Sequence, residues 1–294
     1  MNEFLRTDTA MSALSSMRTG GIAPVACFPE TEKDLCDAVR RLTREHKRFF
    51  VFGNLSNVLL PDGRLDFVPV ITTGIKTVTV METDAGIDVY AACGVSLTGL
   101  ALEFCRGDYA GLSFAYGIPG TVGGAVFMNA GAYGSEMKNI VRSVRFYDID
   151  ADAVCEIPAS DCGFGYRTSV FAHKNGVILG AVLSLAACEP GKALAEAKEF
   201  MERRREKQPL EYPSCGSAFK RPEGYFAGAL IEQAGLKGAQ IGGAQVSEKH
   251  AGFIVNIGNA TAGDVLTLIE RVQKTVFEHS GVHLETEVRV IGEE

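Results

Sequence analysis

The chain has 294 residues, 46% hydrophobic and 22% charged, which suits a soluble globular protein of two or three domains with a sizeable core. Its 29 basic and 36 acidic residues give a net charge of −7, which argues against non-specific binding to nucleic acid or an anionic membrane, while leaving room for a local basic pocket. No apolar run approaches the roughly 20 residues needed to cross a bilayer, and the start, Met1-Asn2-Glu3-Phe4-Leu5-Arg6, lacks the basic and then apolar character of a secretory signal.

Thr31-Glu32-Lys33-Asp34 has capping-box character, and Leu35, Ala38, Val39 and Leu42 follow at helical spacing. Phe49–Phe52 reads as a buried strand, left by the polar turn Gly53-Asn54-Leu55-Ser56-Asn57. β-rich runs at 68–72, 77–81 and 87–92 continue the pattern, and a helix over about 97–105 precedes a glycine-rich region. This is α+β order, a βαβ-like opening followed by mixed strands.

Six glycines then fall within eighteen residues, from Gly117-Ile118-Pro119-Gly120-Thr121-Val122-Gly123-Gly124-Ala125 to Met128-Asn129-Ala130-Gly131-Ala132-Tyr133-Gly134. Glycine tolerates positive φ and lets backbone N–H groups approach a ligand closely. Successive N–H groups turned into a concavity bind anions, and a pyrophosphate is the usual occupant. With no Lys or Arg in the segment, it suggests a dinucleotide held by backbone; a glycine-rich connection between tightly packed elements is the alternative. Neither G-x-x-x-x-G-K-[ST] nor G-x-G-x-x-G occurs in the chain.

Strands return at 141–149 and 177–185, and between them Phe164-Gly165-Tyr166-Arg167-Thr168-Ser169 carries an arginine. Its guanidinium fork suits a carboxylate, or else a surface ion pair. A charged helix over about 192–207 is broken by Gln208-Pro209-Leu210-Glu211-Tyr212-Pro213, where a domain boundary is expected. In Ser214-Cys215-Gly216-Ser217-Ala218-Phe219-Lys220-Arg221-Pro222, Ser217 suits a proton donor or an ordinary turn, and Lys220 and Arg221 suit phosphates or solvent. A helix at 227–234, closed by Gly235, leads to Val246-Ser247-Glu248-Lys249-His250-Ala251-Gly252-Phe253, which fits a ligand-facing loop or a strand entry, and then a strand at 252–257. A helix opens at Thr261-Ala262-Gly263-Asp264 with Val265, Leu268, Ile269, Val272 and Val276 on one face and ends at Gly281. The alternating strand 282–291 closes the chain, with Glu285 and Glu287 on one face. A buried glutamate there would have a raised pKa and act as an acid; a solvated one would not.

Eight cysteines without C-x-x-C read as reduced, mostly buried thiols of a cytoplasmic protein, and five scattered histidines with no metal-ligand spacing argue against a metal site.

Taken together these segments resemble the UDP-N-acetylenolpyruvoylglucosamine reductases, flavoenzymes of peptidoglycan precursor synthesis that bear on cell shape and division. The resemblance runs nearly end to end, through Arg18-Thr19-Gly20-Gly21, the 53–57 turn, the glycine segment, the arginine segment, the 214–222 segment, 226–238, 246–256 and the closing 286–292. The short connection from Arg167 to Phe171 resembles the family's compact second type. The resemblance implies an FAD-binding fold of the vanillyl-alcohol-oxidase/PCMH type, with two α+β subdomains (1–72, and 73–205 joined by the strand 282–294) holding FAD non-covalently, and a smaller α+β substrate domain over 206–281. It implies FAD-holding roles for Asn54, Ser56, Asn57, Gly117, Ile118, Pro119, Gly120, Thr121, Gly123, Gly124, Asn129 and Gly131. Catalytic roles fall on Arg167, Ser217 and Glu287, and substrate contacts on Tyr166, Lys220, Arg221, Lys249 and His250. It further implies NADPH as co-substrate, UDP-N-acetylglucosamine enolpyruvate as substrate, no metal, and a cytoplasmic monomer or weak homodimer.

The chain departs from the family pattern at Leu55, where a second glycine is usual, and at Thr19, where an apolar residue is usual. A leucine takes positive φ only at a cost, so a local difference in the turn is expected. Two rival readings are an oxidase of the same fold acting on a small alcohol, and a non-catalytic flavin or nucleotide-sugar binder. The 214–222 segment with Glu287 speaks against the first, and the complete set of Arg167, Ser217 and Glu287 against the second.

Overall fold

The computed structural model describes residues 4–292. The chain divides into two compact units: residues up to Thr7 with Val25–Asn54 and Phe67–Arg203, and Asp8–Pro24 with Leu55–Asp66 and the chain from Arg204 onward.

The first unit opens with the expected βαβ arrangement. The Thr31 hydroxyl accepts from the Asp34 N–H, and the Asp34 carboxylate accepts from the Thr31 N–H, so the helix Glu32–Arg44 starts with two otherwise open donors satisfied. Leu35, Cys36 and Val39 lie buried along one face of it. Strands Ile22–Cys27, Val68–Ile71 and Phe49–Phe52 run parallel in that spatial order, with Leu5–Ala10 at the edge beyond Ile22–Cys27. An antiparallel six-stranded sheet follows. Its order is Ala153–Pro158, Val141–Asp148, Gly176–Ala187, Gly86–Ala92, Val78–Thr83, and Tyr109–Ala110 pairs with the far end of the long Gly176–Ala187 strand. The helices Leu97–Arg106 and Val122–Phe127 bury Leu97, Leu100, Val122 and Val126 in the same core as Leu179, Ala181 and Leu183. The first precedes the glycine-rich segment and the second lies within it.

The second unit is built on an antiparallel sheet of Ser214–Ser217, Phe253–Asn256, Ala244–Val246 and Gln240–Ile241. The helix Ala262–Ser280 starts at a Thr261–Asp264 capping box and stops at Gly281, whose φ of +70° suits a residue without Cβ. It buries Val265, Leu268, Ile269, Val272 and Val276, each worth about 2 kcal/mol in transfer terms.

Two sequence expectations are corrected here. The closing segment forms a named strand only at Arg289–Val290, parallel to Val58–Leu59, with a single bridge at Thr286 to Phe219. Alternation is kept, since Leu284 and Val288 are buried and Glu285 is exposed, but the segment changes partner partway and so breaks the ladder. Its hydrogen bonds run to residues 57–59 and 218–220, which places it in the second unit rather than with 73–205. The second correction concerns Leu55. It adopts φ +48°, the conformation a glycine would take, and its side chain is 3% exposed. The turn therefore keeps a left-handed geometry at a cost of about 1–2 kcal/mol, offset by burying an isobutyl group worth about 1.5–3 kcal/mol.

Replacing Leu55 separates these two terms. Both Leu55→Gly and Leu55→Ala lose the buried side chain, but only glycine relieves the backbone, so urea unfolding should rank parent, Gly and Ala in falling stability, with Gly about 1 kcal/mol above Ala. An alanine variant as stable as the glycine variant would show that the left-handed backbone costs nothing.

Candidate active site

The glycine segment takes its shape from close backbone packing. A Cβ on Gly53 would lie 2.1 Å from Thr121 Oγ1, and one on Gly123 would lie 2.8 Å from the Cys93 Cβ. These two glycines let the segment seat against its neighbours. The Asn54 amide donates to the Pro119 carbonyl at 2.7 Å, tying the strand-exit turn to the loop. Gly117 bends at φ +89° and donates its N–H to Thr98 Oγ1, Ile118 donates to the Ala115 carbonyl, and Thr121 caps the following helix. The N–H groups of Gly120 and Thr121 meet no acceptor among the described residues, and neither do those of Asn54, Leu55, Ser56 and Asn57. Gly124 is exposed, with only Thr121 Oγ1 near its missing Cβ, at 3.7 Å. Unpaired amides beside a surface glycine, with no side-chain cation in the loop, fit a backbone-held anionic cofactor such as FAD.

The second half of the segment has other work. Asn129 is fully buried at φ +43°; its amide donates to the Gly165 carbonyl at 2.9 Å and accepts from the Lys138 N–H at 2.9 Å. Gly165 and Thr168 exchange backbone bonds, leaving Tyr166 and Arg167 as the corners of a two-residue turn. Arg167 sits at φ +55°, a conformation costing a non-glycine residue about 1–3 kcal/mol and characteristic of functional loops. Its guanidinium donates to the Gly131 carbonyl at 3.0 Å and lies over the half-exposed Tyr166 ring at 5.0 Å. Just past the turn, the buried Ser169 hydroxyl donates to the Phe127 carbonyl at 2.6 Å.

In the second unit, Ser217 and Glu287 are brought onto adjoining segments by backbone pairing. The Glu287 N–H donates to the Ala218 carbonyl at 2.9 Å, and the Lys220 N–H donates to the Glu285 carbonyl at 2.8 Å. A register shift between Ser214 and Ser217, with Gly216 at φ +76°, makes a bulge there. Bulges of this kind re-aim a side chain beside a site. Ser217 Oγ bonds to no described protein atom, so its proton is available to a ligand. The neighbouring Cys215 is buried, donates to the Val58 carbonyl, and has its thiol pushed up to about 12 by desolvation, which removes it as a nucleophile. Asn57 donates its amide to the Glu287 carbonyl at 3.2 Å and accepts the Arg289 N–H on its own carbonyl, so it braces the glutamate segment. Ser56 is half-buried, with no side-chain bond among the described residues. Thr19 Oγ1 is buried and unpartnered, a polar atom that the family's usual apolar residue would not present.

The expected substrate contacts are half-buried or exposed groups with partners of their own. Lys220 pairs with the exposed Glu285 at 3.1 Å, and Arg221 lies over the Phe226 ring at 4.0 Å. Lys249 donates to the Arg205 carbonyl at 2.7 Å and sits 3.6 Å from Glu211. His250 Nδ1 accepts from the Gly252 N–H at 3.1 Å, and burial holds its pKa below the ordinary 6.5. Ser247, which sequence reasoning passed over, accepts from both the Lys249 and the His250 N–H and fixes this loop. No cluster of metal-ligating side chains occurs among the described residues, and no helix among them is long and apolar enough to cross a membrane.

Two family models match the chain. Residues 23–154 match the model of an FAD-binding domain, and residues 208–291 match that of the UDP-N-acetylenolpyruvoylglucosamine reductase C-terminal domain. The chain is therefore an FAD-binding oxidoreductase with an α+β fold. It is 46% identical to the UDP-N-acetylenolpyruvoylglucosamine reductase of Limosilactobacillus reuteri over 99% of this chain and 98% of the relative. Identity to that of Caldanaerobacter subterraneus is 43%, over 96% and 92%. The crystal structure of the Thermus caldophilus reductase superposes with a TM-score of 0.82 at 32% identity, covering 98% of this chain and 99% of that one. The chain belongs to the UDP-N-acetylenolpyruvoylglucosamine reductase family.

His250 supplies a pH test of this loop. Because burial lowers its folded pKa, the unfolded chain takes up a proton near pH 6.5 that the folded chain refuses until lower pH. The group's contribution is present above pH 6.5 and is lost as pH falls through that value. The urea midpoint should drop less between pH 7.5 and 5.5 in His250→Asn than in the parent. An equal drop in both would contradict the burial assigned to this ring.

Proposed function

We propose that the chain is an NADPH-dependent reductase that converts UDP-N-acetylglucosamine enolpyruvate to UDP-N-acetylmuramate in peptidoglycan precursor synthesis, a cytoplasmic step. The observation that supports the reading is the backbone pairing of residues 218–220 with 285–287, which puts Ser217 and Glu287 on adjoining segments of a chain whose full-length relatives are named for this substrate. The unpaired amides of Gly120 and Thr121 support FAD as the redox group. Bound FAD would supply the hydride chemistry, taking electrons from NADPH and delivering hydride to the terminal vinyl carbon.

As hydride adds, the vinyl electron pair moves toward the substrate carboxylate and builds enolate-like charge. Only groups that bind this charge better than the ground state accelerate the step. Arg167 offers planar donors to that carboxylate, with the Gly131 carbonyl holding the guanidinium. Glu287 would act as acid or hydrogen-bond donor to the same charge. Ser217 would give its hydroxyl proton to the ether-bearing carbon, completing the saturated lactyl ether, and would regain a proton from a relay. Tyr166, Lys220, Arg221 and Lys249 would contact the diphosphate and nearby groups. His250, whose burial disfavours its charged form, would serve as a neutral hydrogen-bonding group.

The two half-reactions test the proton-donor role. In Ser217→Ala, bleaching of the flavin by NADPH should stay within about twofold of the parent, while anaerobic reoxidation by the enolpyruvyl substrate should slow by about 10²–10⁴. Reoxidation at the parental rate would remove Ser217 from the role, and a parent protein that this substrate cannot reoxidise would remove the function.

A further inference from the structure

We propose that Asn129 and Ser169 are positioning residues that hold Arg167 in its reactive conformation, so that the latter half of the glycine-rich segment serves as the anchor of the arginine turn rather than as a cofactor contact. The inference rests on the functional reading above for what Arg167 does, but not for how it is held.

The geometry is a clamp with two jaws. On one side of the turn the Asn129 amide holds the Gly165 carbonyl, and on the other the Ser169 hydroxyl holds the Phe127 carbonyl. Between them Arg167 reaches back to the Gly131 carbonyl. All three bonds end on the stretch 127–131, directly after the helix Val122–Phe127. Asn129 and Ser169 are buried, at 0% and 2% exposure, and the other end of the Asn129 amide is engaged by the Lys138 N–H. A buried amide with both ends bonded to main chain is a strut. The turn it holds is strained at Arg167, and a strained left-handed residue persists only where its surroundings over-determine it. Without the two jaws the turn would relax toward an ordinary backbone conformation and the guanidinium would lose its fixed aim, although its charge would remain.

Asn129→Asp is the sharp variant. It keeps the shape, the tolerance of left-handed φ and the acceptor for the Lys138 N–H, and replaces the donor to Gly165 with a carboxylate oxygen that repels that carbonyl. Ser169→Ala removes the second jaw, and Ser169→Thr, which restores a hydroxyl, is the rescue control. A first readout needs no substrate: limited trypsin digestion of the holoenzyme, followed by mass spectrometry. Cleavage after Arg167 should speed up about tenfold or more in Asn129→Asp and Ser169→Ala relative to every other site, because local opening at the pinned turn becomes cheaper. Rates rising equally at all sites, or unchanged at Arg167, would overturn the clamp.

A second readout joins the clamp to Arg167 through a double-mutant cycle. Asn129→Asp should slow reoxidation by the enolpyruvyl substrate about 10–100-fold in the parent and less than twofold in an Arg167→Ala background. FAD titration of the apoprotein should give dissociation constants within about twofold of each other. Full additivity with Arg167→Ala, or a tenfold weaker grip on FAD, would make Asn129 a cofactor contact and end the proposal. If the parent itself is not reoxidised by this substrate, the functional reading fails, while the trypsin result still decides the clamp.

Discussion

The close approach of Thr121 to Gly53, possible only because Gly53 has no Cβ, is the contact on which the first unit's site depends. It lets the loop carrying Gly117–Gly120 lie against the strand exit, where the Asn54 amide latches the Pro119 carbonyl. The loop is thereby held by neighbours that leave the Gly120 and Thr121 N–H groups without acceptors. Donors left open in a rigid frame bind an anion without the cost of ordering a flexible loop. The same seating directs the helix Val122–Phe127 against Cys93 and so fixes the carbonyls of 127–131 to which the arginine turn is attached. One packing constraint thus orders both a candidate cofactor cradle and a candidate catalytic arginine.

The second unit reaches a similar end by ladder geometry. Two long stretches of sequence meet at residues 218–220 and 285–287, and backbone bonds fix their register to the residue. A one-residue slip would turn each side chain to the opposite face, so the bridge of Phe219 to Thr286, with the Glu287 N–H on the Ala218 carbonyl, fixes where Ser217 and Glu287 fall on their adjoining segments. The bulge at Cys215-Gly216 and the Asn57 bond to the Glu287 carbonyl refine the aim. Side-chain amides at Asn57 and Asn129 are both spent on main-chain carbonyls, those of Glu287 and Gly165, a use of asparagine that sequence motifs do not distinguish from ligand binding.

Much of the fold was legible because its elements carry local signals. Thr31 with Asp34, and Thr261 with Asp264, announced two helices, and Gly281 ended one at φ +70°. The edge strands Leu5–Ala10 and Ala153–Pro158 passed unnoticed because exposure removes the apolar alternation that betrays a half-buried strand. The closing segment did alternate, yet pairing, not periodicity, decides whether an extended segment is a named strand. Leu55 was expected to disturb its turn; burial of its side chain instead offsets the left-handed backbone, a tertiary term invisible to local rules. The site residues came from family motifs, which name positions but not their work. The motif at 117–134 contains a packing glycine at Gly123, the Thr121 side chain that packs on Gly53, open amides at Gly120 and Thr121, and a strut at Asn129, and only coordinates separate these roles.

The proposed function requires that electrons from NADPH end on the carbon–carbon double bond of the enolpyruvyl ether. Proton NMR of the reaction mixture, followed against NADPH consumption without oxygen, tests it directly. The account predicts that the vinyl signals disappear and a lactyl methyl doublet grows, one equivalent for each NADPH consumed. Persistence of the vinyl signals while NADPH is consumed would contradict it.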